Sequence, residues 1–282
     1  MSATTAARPE PELRDAHASA RLGPYLQEMW SRRTYVWYVA TNELRRRQVH
    51  NKLGNLWHLL NPVLSIGVYY VIFGVLLDVG DRSSSNFFLF LSVGLFIYQF
   101  TQRATINGAK SIVSNTGLIK AIKFPRAILP LTSTVTETIA FWSSFLVIYF
   151  LAFISTGVRW QWLLLPLLIA IQAVFNTGAA MIAARMTTQL RDTTQILPFF
   201  FRLVLYASGV IFNVDSYSDG NKTVELLFTL NPMYCFITIG RWMVMGTAVK
   251  DQHFVSMFIW TVLILIFGFL WFRAAEERYA RD

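Results

Sequence analysis

Long runs of apolar residues dominate this chain from about position 57 to position 272. A helix of about 20 apolar residues is long enough to cross the hydrocarbon core of a bilayer. Six runs approach that length and are predicted to be membrane spans: 57–77, 87–106, 128–153, 163–184, 196–212 and 254–272. The pattern therefore predicts an all-α membrane protein with six transmembrane helices.

A seventh apolar stretch, 226–246, lies between the last two runs and is interrupted by Asn231, Pro232, Gly240 and Arg241. Counting it as a span would place the two ends of the chain on opposite sides of the membrane. With six spans, 18 of the 25 lysines and arginines fall on one side, and cytoplasmic loops carry such an excess. We therefore predict that 226–246 is a re-entrant hairpin and that both termini are cytoplasmic.

The segments outside the spans differ in character. Residues 1–21 are rich in Ala, Pro, Glu and Arg and are predicted to be a disordered cytoplasmic tail. In 22–56, apolar residues recur at helical spacing, but the segment carries too many charges to span. It is predicted to be an amphipathic region at the level of the lipid headgroups, with an ordinary solvated helix as the alternative. The six spans occupy 57–273, and 274–282 form a second cytoplasmic tail.

Composition supports the membrane prediction and removes one alternative. Apolar residues make up 54% of the 282 residues and charged residues only 15%, against about 25% in soluble proteins. The net charge of +9 suits nucleic acid binding as well as a membrane topology. Because the basic residues are concentrated in the predicted cytoplasmic segments, we assign the surplus to topology and predict no nucleic acid partner.

Four groups of residues, in order along the chain, resemble the permease subunits of type-2 ABC exporters that move lipid-linked polysaccharides such as O-antigens and teichoic acids. They are Leu53, Gly54, Trp57 and Asn61-Pro62; Asn115, Leu118, Ile119, Lys120, Phe124-Pro125-Arg126 and Pro130; Arg191-Asp192; and Asn231-Pro232-Met233. The resemblance runs from about Tyr25 to the end of the chain. Within the family, the Ala- and Arg-rich start and the second group are most similar to the mycobacterial exporters of lipid-linked galactan.

The resemblance implies a transport permease in the bacterial inner (cytoplasmic) membrane. It implies a homodimer that associates with two copies of a separate ATPase subunit and with membrane lipids. Its cargo would be a polyprenyl-diphosphate-linked polysaccharide. The chain contains no Gly-Lys pair, and hence no phosphate-binding loop of the Walker type. We therefore expect no cofactor on this chain, and ATP and Mg on the partner ATPase.

The loop at 107–127 carries basic residues around an apolar stripe that includes Val113 and Ile122. In the resembled family, such a loop is a coupling helix that docks on the ATPase. The residues predicted for this role are Ile112, Leu118, Ile119, Lys120, Lys123, Phe124, Pro125 and Arg126. A plain basic cytoplasmic loop is the alternative.

Five arginines precede the first span: Arg32, Arg33, Arg45, Arg46 and Arg47. Basic residues at the membrane surface attract anionic headgroups by about 1 kcal/mol each, and the forked guanidinium matches phosphate. We expect some of these arginines to guide a lipid diphosphate toward the transport path. Generic attraction to anionic lipid is the alternative.

Ionisable residues inside spans are costly and usually have a partner. Glu137 lies about 14 Å along the third span if that span begins at residue 128. Arg202 lies about 9 Å along the fifth span if that span begins at residue 196, and the sequence predicts a buried Glu137–Arg202 pair. Such a pair could serve packing alone or could line the transport path.

Aromatic residues make up 15% of the chain. Most are expected to pack or to lie at the membrane interfaces. Sugar rings can stack on aromatic faces, so we also predict an aromatic gate or channel in the outer half of the membrane. Its candidate residues are Tyr69, Tyr70, Phe87, Phe88, Tyr234, Phe236 and Trp242.

Two other functions compete with polysaccharide export. The same architecture could export a drug or a free lipid. A membrane-embedded glycosyl- or phosphotransferase would need clustered carboxylates, but the sequence has no Asp-Asp pair and Glu137 stands alone in its span. The single cysteine and four scattered histidines form no metal-ligand pattern. We therefore predict no catalytic residue and no metal site.

Overall fold

The computed structural model describes residues 22–47, 56–77, 86–214 and 222–276. Within these ranges every regular element is helical. The predicted tail 1–21, most of the predicted tail 274–282, and the end of the amphipathic region lie outside the described residues.

Eleven α-helices follow one another along the described chain. They are α1 (Leu22–Ser31), α2 (Arg33–Arg46), α3 (Leu56–Tyr69), α4 (Phe87–Lys110), α5 (Thr116–Ala121), α6 (Ile128–Thr156), α7 (Leu165–Gln189), α8 (Thr193–Ala207), α9 (Lys222–Thr229), α10 (Pro232–Met245) and α11 (Asp251–Arg273). A π-helical turn, Tyr70–Leu76, extends α3, and short 3-10 turns at Val113–Asn115 and Trp160–Leu164 precede α5 and α7.

The predicted spans correspond to helices, although not all of them reach spanning length. Three helical segments of the described chain are long and apolar enough to cross a membrane: Ile128–Thr156, Trp160–Gln189 and Asp251–Arg273. The pair α9 and α10 would make a fourth if it were one broken span. The six-span topology therefore stays a prediction for the remaining helices.

The fifth predicted span is shorter than expected because α8 ends at Ala207 rather than at Phe212. Gly209 has a φ of +60°, a left-handed conformation that glycine adopts more readily than other residues and that ends a helix. The chain beyond it turns back toward α10.

Helix α4 lies at the centre of the bundle. It packs against α6, α7 and α10, while α11 packs on the far side of α7. The α7–α11 contact is close enough to bring two glycines together: a Cβ on Gly178 would overlap the Ile264 carbonyl, and one on Gly268 would overlap the Gly178 carbonyl. Small residues at such crossings allow the helix backbones to touch.

Helices α1 and α2 form an arm on the outside of the bundle. Val36 and Ala40 of α2 are buried against α6, whereas Trp30, Trp37 and Tyr38 are mostly exposed. One face of the arm is thus packed and the other carries large aromatic side chains, a distribution typical of a helix at a membrane surface.

Helices α9 and α10 meet at an angle of 93° across Leu230 and Asn231. Pro232 occupies the first turn of α10, and the Asn231 side chain accepts a hydrogen bond from the Met233 backbone N–H at 3.0 Å. Proline is tolerated there because the first N–H groups of a helix have no intrahelical partner. The Asn-Pro motif therefore ends one helix and caps the next.

Candidate functional site

The loop between α4 and α6, residues 111–127, is divided between an inward and an outward face. Ile112 and Ile119 are 2% and 5% exposed, and Pro125 is also buried. Ile112 and Ile119 belong to a cluster with residues of α1, α7 and the end of α11, whose members include Tyr25, Met181, Ala184 and Phe272. Ile112, Ile119 and Pro125 are therefore buried within this chain, and their predicted contact with an ATPase stays a prediction.

The outward face of this loop includes Val113, Gly117, Ile122 and the two lysines, Lys120 and Lys123. Ile122 is 53% exposed and Val113 39%. Leu118, Phe124 and Arg126 are half-buried at the edge of the internal cluster. The apolar stripe thus contributes to two surfaces, because Ile112 and Ile119 face inward whereas Val113 and Ile122, which flank α5, are exposed.

A polar junction ties this loop to both ends of the described chain. We call Tyr25, Arg126 and Glu276 the three-way junction. The Glu276 carboxylate accepts the Arg126 backbone N–H at 2.6 Å and a hydrogen bond from the Tyr25 hydroxyl. The Tyr25 hydroxyl accepts the Ala127 N–H at 3.4 Å, and the Arg273 guanidinium lies 5.2 Å from the Tyr25 ring. Helix α1, the loop and the end of α11 therefore meet at one point.

Burial raises the pKa of the Glu276 carboxyl, although hydrogen bonds from Arg126 and Tyr25 act in the opposite direction. Burial, together with the adjacent Glu276, also raises the pKa of the Tyr25 hydroxyl. Both groups consequently favour their neutral forms more strongly than they would in water. Sequence reasoning missed this junction, since neither residue belongs to a charged cluster in the sequence.

The five arginines before the first span have different environments. Arg32 forms an ion pair with Glu28 at 3.0 Å, and the Arg33 guanidinium lies 5.6 Å from the centre of the Trp30 ring. Arg45 and Arg46 are exposed. The fifth arginine, Arg47, turns toward the bundle.

Arg47 Nη1 lies 2.7 Å from Glu137 Oε1, and the Asn107 amide donates to the same oxygen at 2.7 Å. Glu137 is only 3% exposed, whereas the Arg47 side chain is 37% exposed. Burial opposes the charge on Arg47, but the carboxylates of Glu137 and Glu43 outweigh it and raise the pKa of the guanidinium. The buried carboxylate therefore has a cationic partner that still reaches the surface.

The predicted pairing of Glu137 with Arg202 is wrong. Arg202 is exposed, and its guanidinium lies 5.3 Å from the centre of the Phe199 ring. The actual partner comes from the arm, which folds back along α6 and brings Arg47 to a residue 90 positions away. Glu137 also borders a cavity of about 20 Å³ between α4 and α6, which Gln99, Arg103 and Ser144 help to line.

The aromatic gate candidates separate into several packing groups. Tyr70 packs on Phe87 and Phe88, with ring centres 6.3 and 5.2 Å away. Tyr234 packs on Phe228 and His253, Phe236 on Phe175, Trp242 on Phe254, and Tyr69 on Phe73. Phe87, Tyr234 and Phe236 are buried, and Phe236 has no exposed surface at all. Tyr69, Tyr70, Phe88 and Trp242 retain surface that could meet a cargo.

Helix α10 holds the end of α8 through two side chains. The Asn231 amide donates to the Ala207 carbonyl at 3.0 Å. Arg241, which is 5% exposed, donates to the carbonyls of Gly209 and Val210 at 2.8 and 2.7 Å and to the Phe90 carbonyl at 3.2 Å. The carbonyls of Ala207, Gly209 and Val210 lie at or just beyond the negative end of the α8 dipole, which favours the buried charge of Arg241.

An uncharged polar network between α4 and α7 was also missed by the sequence reasoning. The Gln172 amide donates to the Ile97 carbonyl at 2.7 Å and to the Thr101 hydroxyl at 2.9 Å, and Thr101 donates to Asn176 at 2.7 Å. Gln172 and Asn176 are fully buried. The available signal was the presence of two amides inside an otherwise apolar predicted span.

Comparison with known proteins matches residues 34–245 to the model of a protein family described as ABC-2 type transporter. The chain belongs to the ABC-2 type transporter family. This confirms the resemblance inferred from the four residue groups. As a family member, the chain is a multi-pass membrane protein and a transport permease, and the family implies partnership with an ATPase subunit in an ABC transporter.

Curated relatives cover most of the chain. An O-antigen export system permease protein RfbA of Klebsiella pneumoniae is 24% identical over 245 residues, which are 86% of this chain and 92% of that protein. A Myxococcus xanthus protein of the same name is 27% identical over 214 residues, or 76% of this chain and 81% of that protein. The family match at 34–245 therefore includes nearly all of α2, the α4–α6 loop and the bent helix pair rather than one isolated motif.

Proposed function

We propose that this chain is the transmembrane permease subunit of an ATP-driven exporter that moves a polyprenyl-diphosphate-linked polysaccharide from the cytoplasm across the bacterial inner membrane. The observation that carries the proposal is the similarity to O-antigen export permeases along 86% of the chain. The resemblance to mycobacterial galactan exporters favours a cell-wall galactan as the cargo.

The transport path is proposed to form between two copies of the chain. One bundle of six helices is too small to enclose a passage for a polysaccharide, and a twofold pair is the commonest closed assembly. Apolar residues on α3 and α8 are available for such an interface: Leu64, Val68, Ile196, Phe199 and Leu203 are all at least 52% exposed. Tyr69 and Tyr70 follow directly on α3 and are proposed to line the path.

Two copies of a separate ATPase, which binds ATP and Mg, are proposed to dock on the outward face of the α4–α6 loop. This face combines the apolar side chains of Val113 and Ile122 with the charges of Lys120 and Lys123. We propose that both ends of the chain lie in the cytoplasm, on the same side as this loop, and the distribution of basic residues supports this orientation.

Arg45 and Arg46 are the arm residues best placed to guide a lipid diphosphate, because both are exposed and no acidic partner is described for either. Arg32 is paired with Glu28, and Arg47 with Glu137 and Glu43. Guidance of the lipid diphosphate is therefore proposed to depend on the last turn of α2 more than on the arginines at its start.

The decisive experiment measures ATPase activity of the reconstituted permease–ATPase complex with lipid-linked glycans of defined head group. We expect stimulation by polyprenyl-diphosphate-linked galactan and little by free polyprenyl phosphate. An Arg45→Glu, Arg46→Glu variant should need several-fold more substrate for half-maximal stimulation. If only hydrophobic drugs or free lipids stimulate the ATPase activity, the cargo is a drug or a free lipid. Glycosyl transfer by the purified chain would instead support the glycosyltransferase alternative.

A further inference from the structure

An apolar groove runs between the arm and the start of α6. Its volume is about 690 Å³, and it opens along one side. The walls are formed by Leu26, Met29, Trp37, Leu131 and Val135. The groove is thus shared by α1, α2 and the first two turns of α6.

Arg33 is the charged residue of this groove. Its guanidinium is held near the Trp30 ring, and among the described residues no carboxylate lies within ion-pair distance of it. The adjacent Arg32 is neutralised by Glu28 at 3.0 Å. An uncompensated positive charge therefore stands at the wall of an apolar groove.

The groove lies at a definite depth along α6. Leu131 and Val135 are three and seven residues beyond Ile128, where α6 begins, which places them about 4.5 and 10.5 Å along the helix. Interfacial helices bury their apolar faces about 5–10 Å into the boundary between headgroups and acyl chains. Trp30 and Trp37, which are 70% and 59% exposed, flank the groove as aromatic residues do at this level.

We propose that this groove is a binding site for an anionic phospholipid of the inner leaflet. The acyl chain lies along Leu131 and Val135, and the phosphate contacts Arg33. The lipid is a resident one rather than the cargo, because Val36 and Ala40 pack against α6 and separate the groove from the centre of the bundle. The site rests on the proposed orientation of the chain and is independent of the identity of the cargo.

The test uses the full chain purified with its ATPase partner and embedded in nanodiscs of phosphatidylcholine with or without phosphatidylglycerol. Native mass spectrometry measures which phospholipids stay bound to the complex. The wild type should retain phosphatidylglycerol in preference to phosphatidylcholine. Arg33→Gln should lower that preference about fivefold, the effect of one surface charge. Arg191→Gln, an exposed arginine outside both the groove and the arm, is the matched control and should leave the preference unchanged.

Two further measurements test whether the lipid lies in the groove. Val135→Trp fills the groove and should reduce retention of both phospholipids. Phosphatidylglycerol with a photoactivatable acyl chain should crosslink to α1, α2 or the start of α6 in the wild type. Crosslinks only elsewhere, or equal losses in Arg33→Gln and Arg191→Gln, would overturn the proposal. Displacement of phosphatidylglycerol by a lower concentration of polyprenyl diphosphate would also overturn it, since the groove would then belong to the cargo.

Discussion

Glu137 is the most constrained ionisable residue of the α4–α6 contact. Its carboxylate receives two donors on one oxygen, from Arg47 and Asn107, and has almost no exposed surface. The two members of the ion pair are therefore not equivalent. If Glu137 is replaced, the Arg47 guanidinium can still be solvated. If Arg47 is replaced, the Glu137 carboxylate stays buried without a counter-charge. Removing one partner of a buried pair is costly mainly because the other charge stays buried.

We therefore predict an asymmetry between the two single substitutions. Arg47→Gln leaves a buried carboxylate without its cation and should cost about 2–3 kcal/mol of stability, whereas Glu137→Gln should cost about 1 kcal/mol because the freed arginine is solvated. The double variant should be more stable than Arg47→Gln alone. Thermal unfolding in detergent of the wild type, the two single variants and the double variant measures their order of stability.

Arg46→Gln provides the control for this series, since it removes an exposed charge from the same turn of α2. It should unfold within about 0.5 kcal/mol of the wild type. Equal losses in Arg47→Gln and Glu137→Gln, with no recovery in the double variant, would contradict the pairing.

The sequence identified Glu137 as a residue needing a partner but assigned the wrong arginine. The cost of a charge in a span is a local property, so it can be read from the sequence. The choice of partner depends on how the arm folds against α6, a contact between residues 90 positions apart. Periodicity along the chain carries no information about such a distance.

Arg241 is also buried, but its partners are backbone carbonyls. Arg241→Met would leave the carbonyls of Phe90, Gly209 and Val210 without these donors, and each unsatisfied group costs about 1–3 kcal/mol. We expect a strong loss of folded protein in Arg241→Met. Arg241→Lys should be intermediate, because one ammonium cannot reproduce the forked geometry. Size-exclusion yield and thermal midpoint of the purified chain measure both.

Arg202→Met is the matched control, because Arg202 is exposed and its guanidinium lies 5.3 Å from the centre of the neighbouring Phe199 ring. The size-exclusion yield and thermal midpoint of Arg202→Met should be close to those of the wild type. If Arg241→Met were as stable as Arg202→Met, the contacts of Arg241 would not hold the end of α8.

At the scale of elements, the three-way junction joins α1, the α4–α6 loop and the end of α11. Each partner reaches Glu276 from a different element: the Tyr25 hydroxyl, the Arg126 backbone and the Arg273 charge. A displacement of the loop would therefore be transmitted to both the arm and α11. Such linked contacts move together rather than independently.

This junction also predicts a dependence of stability on pH. Because burial raises the pKa of Glu276, the folded chain binds its proton more tightly than the unfolded chain. The stabilising contribution of this group should then be greatest in acid and should decrease as the pH rises above the ordinary value of 4.5. The measurement is the thermal midpoint of the wild type minus that of Glu276→Gln, which should become smaller between pH 4.5 and about 7.

Glu28→Gln serves as the exposed comparison on the arm. The difference in thermal midpoint between the wild type and Glu28→Gln should not decrease with rising pH in this way. A difference for Glu276→Gln that grows with rising pH would mean that the hydrogen bonds of the junction outweigh burial.

Sequence periodicity predicted the existence of the helices well but not all of their limits. The apolar runs at 128–153 and 254–272 correspond to α6 and α11 with small extensions. The run at 196–212 continues beyond the end of α8, because apolar composition does not reveal the positive φ of Gly209. Composition also could not show that Ile112 and Ile119 pack inside the chain, since helical spacing does not tell which surface an apolar stripe meets.

At the scale of the whole molecule, the outward face of the α4–α6 loop predicts where the ATPase binds. Ile122→Asp, or Val113→Asp, would place a charge in the centre of the proposed interface. We expect at least a tenfold weaker association, which corresponds to about 1.4 kcal/mol. Co-purification of the ATPase with the tagged permease, followed by titration, measures the effect.

Leu22→Asp, at an exposed position on α1, is the control for added charge and should leave the association unchanged. Unchanged association in both loop variants, with the permease correctly inserted, would place the ATPase elsewhere. That result would not bear on the proposed cargo, because the cargo is tested separately by glycan stimulation of the ATPase activity.

The way in which α10 holds α8 has a consequence for the divergence of related sequences. The Asn231 amide and Arg241 bond to backbone carbonyls at Ala207, Gly209 and Val210, and every amino acid supplies such a carbonyl. The side chains of α8 that face outward can therefore be exchanged without loss of these bonds. Homologous permeases can in this way differ on the outward surface of α8 while its end keeps the same attachment.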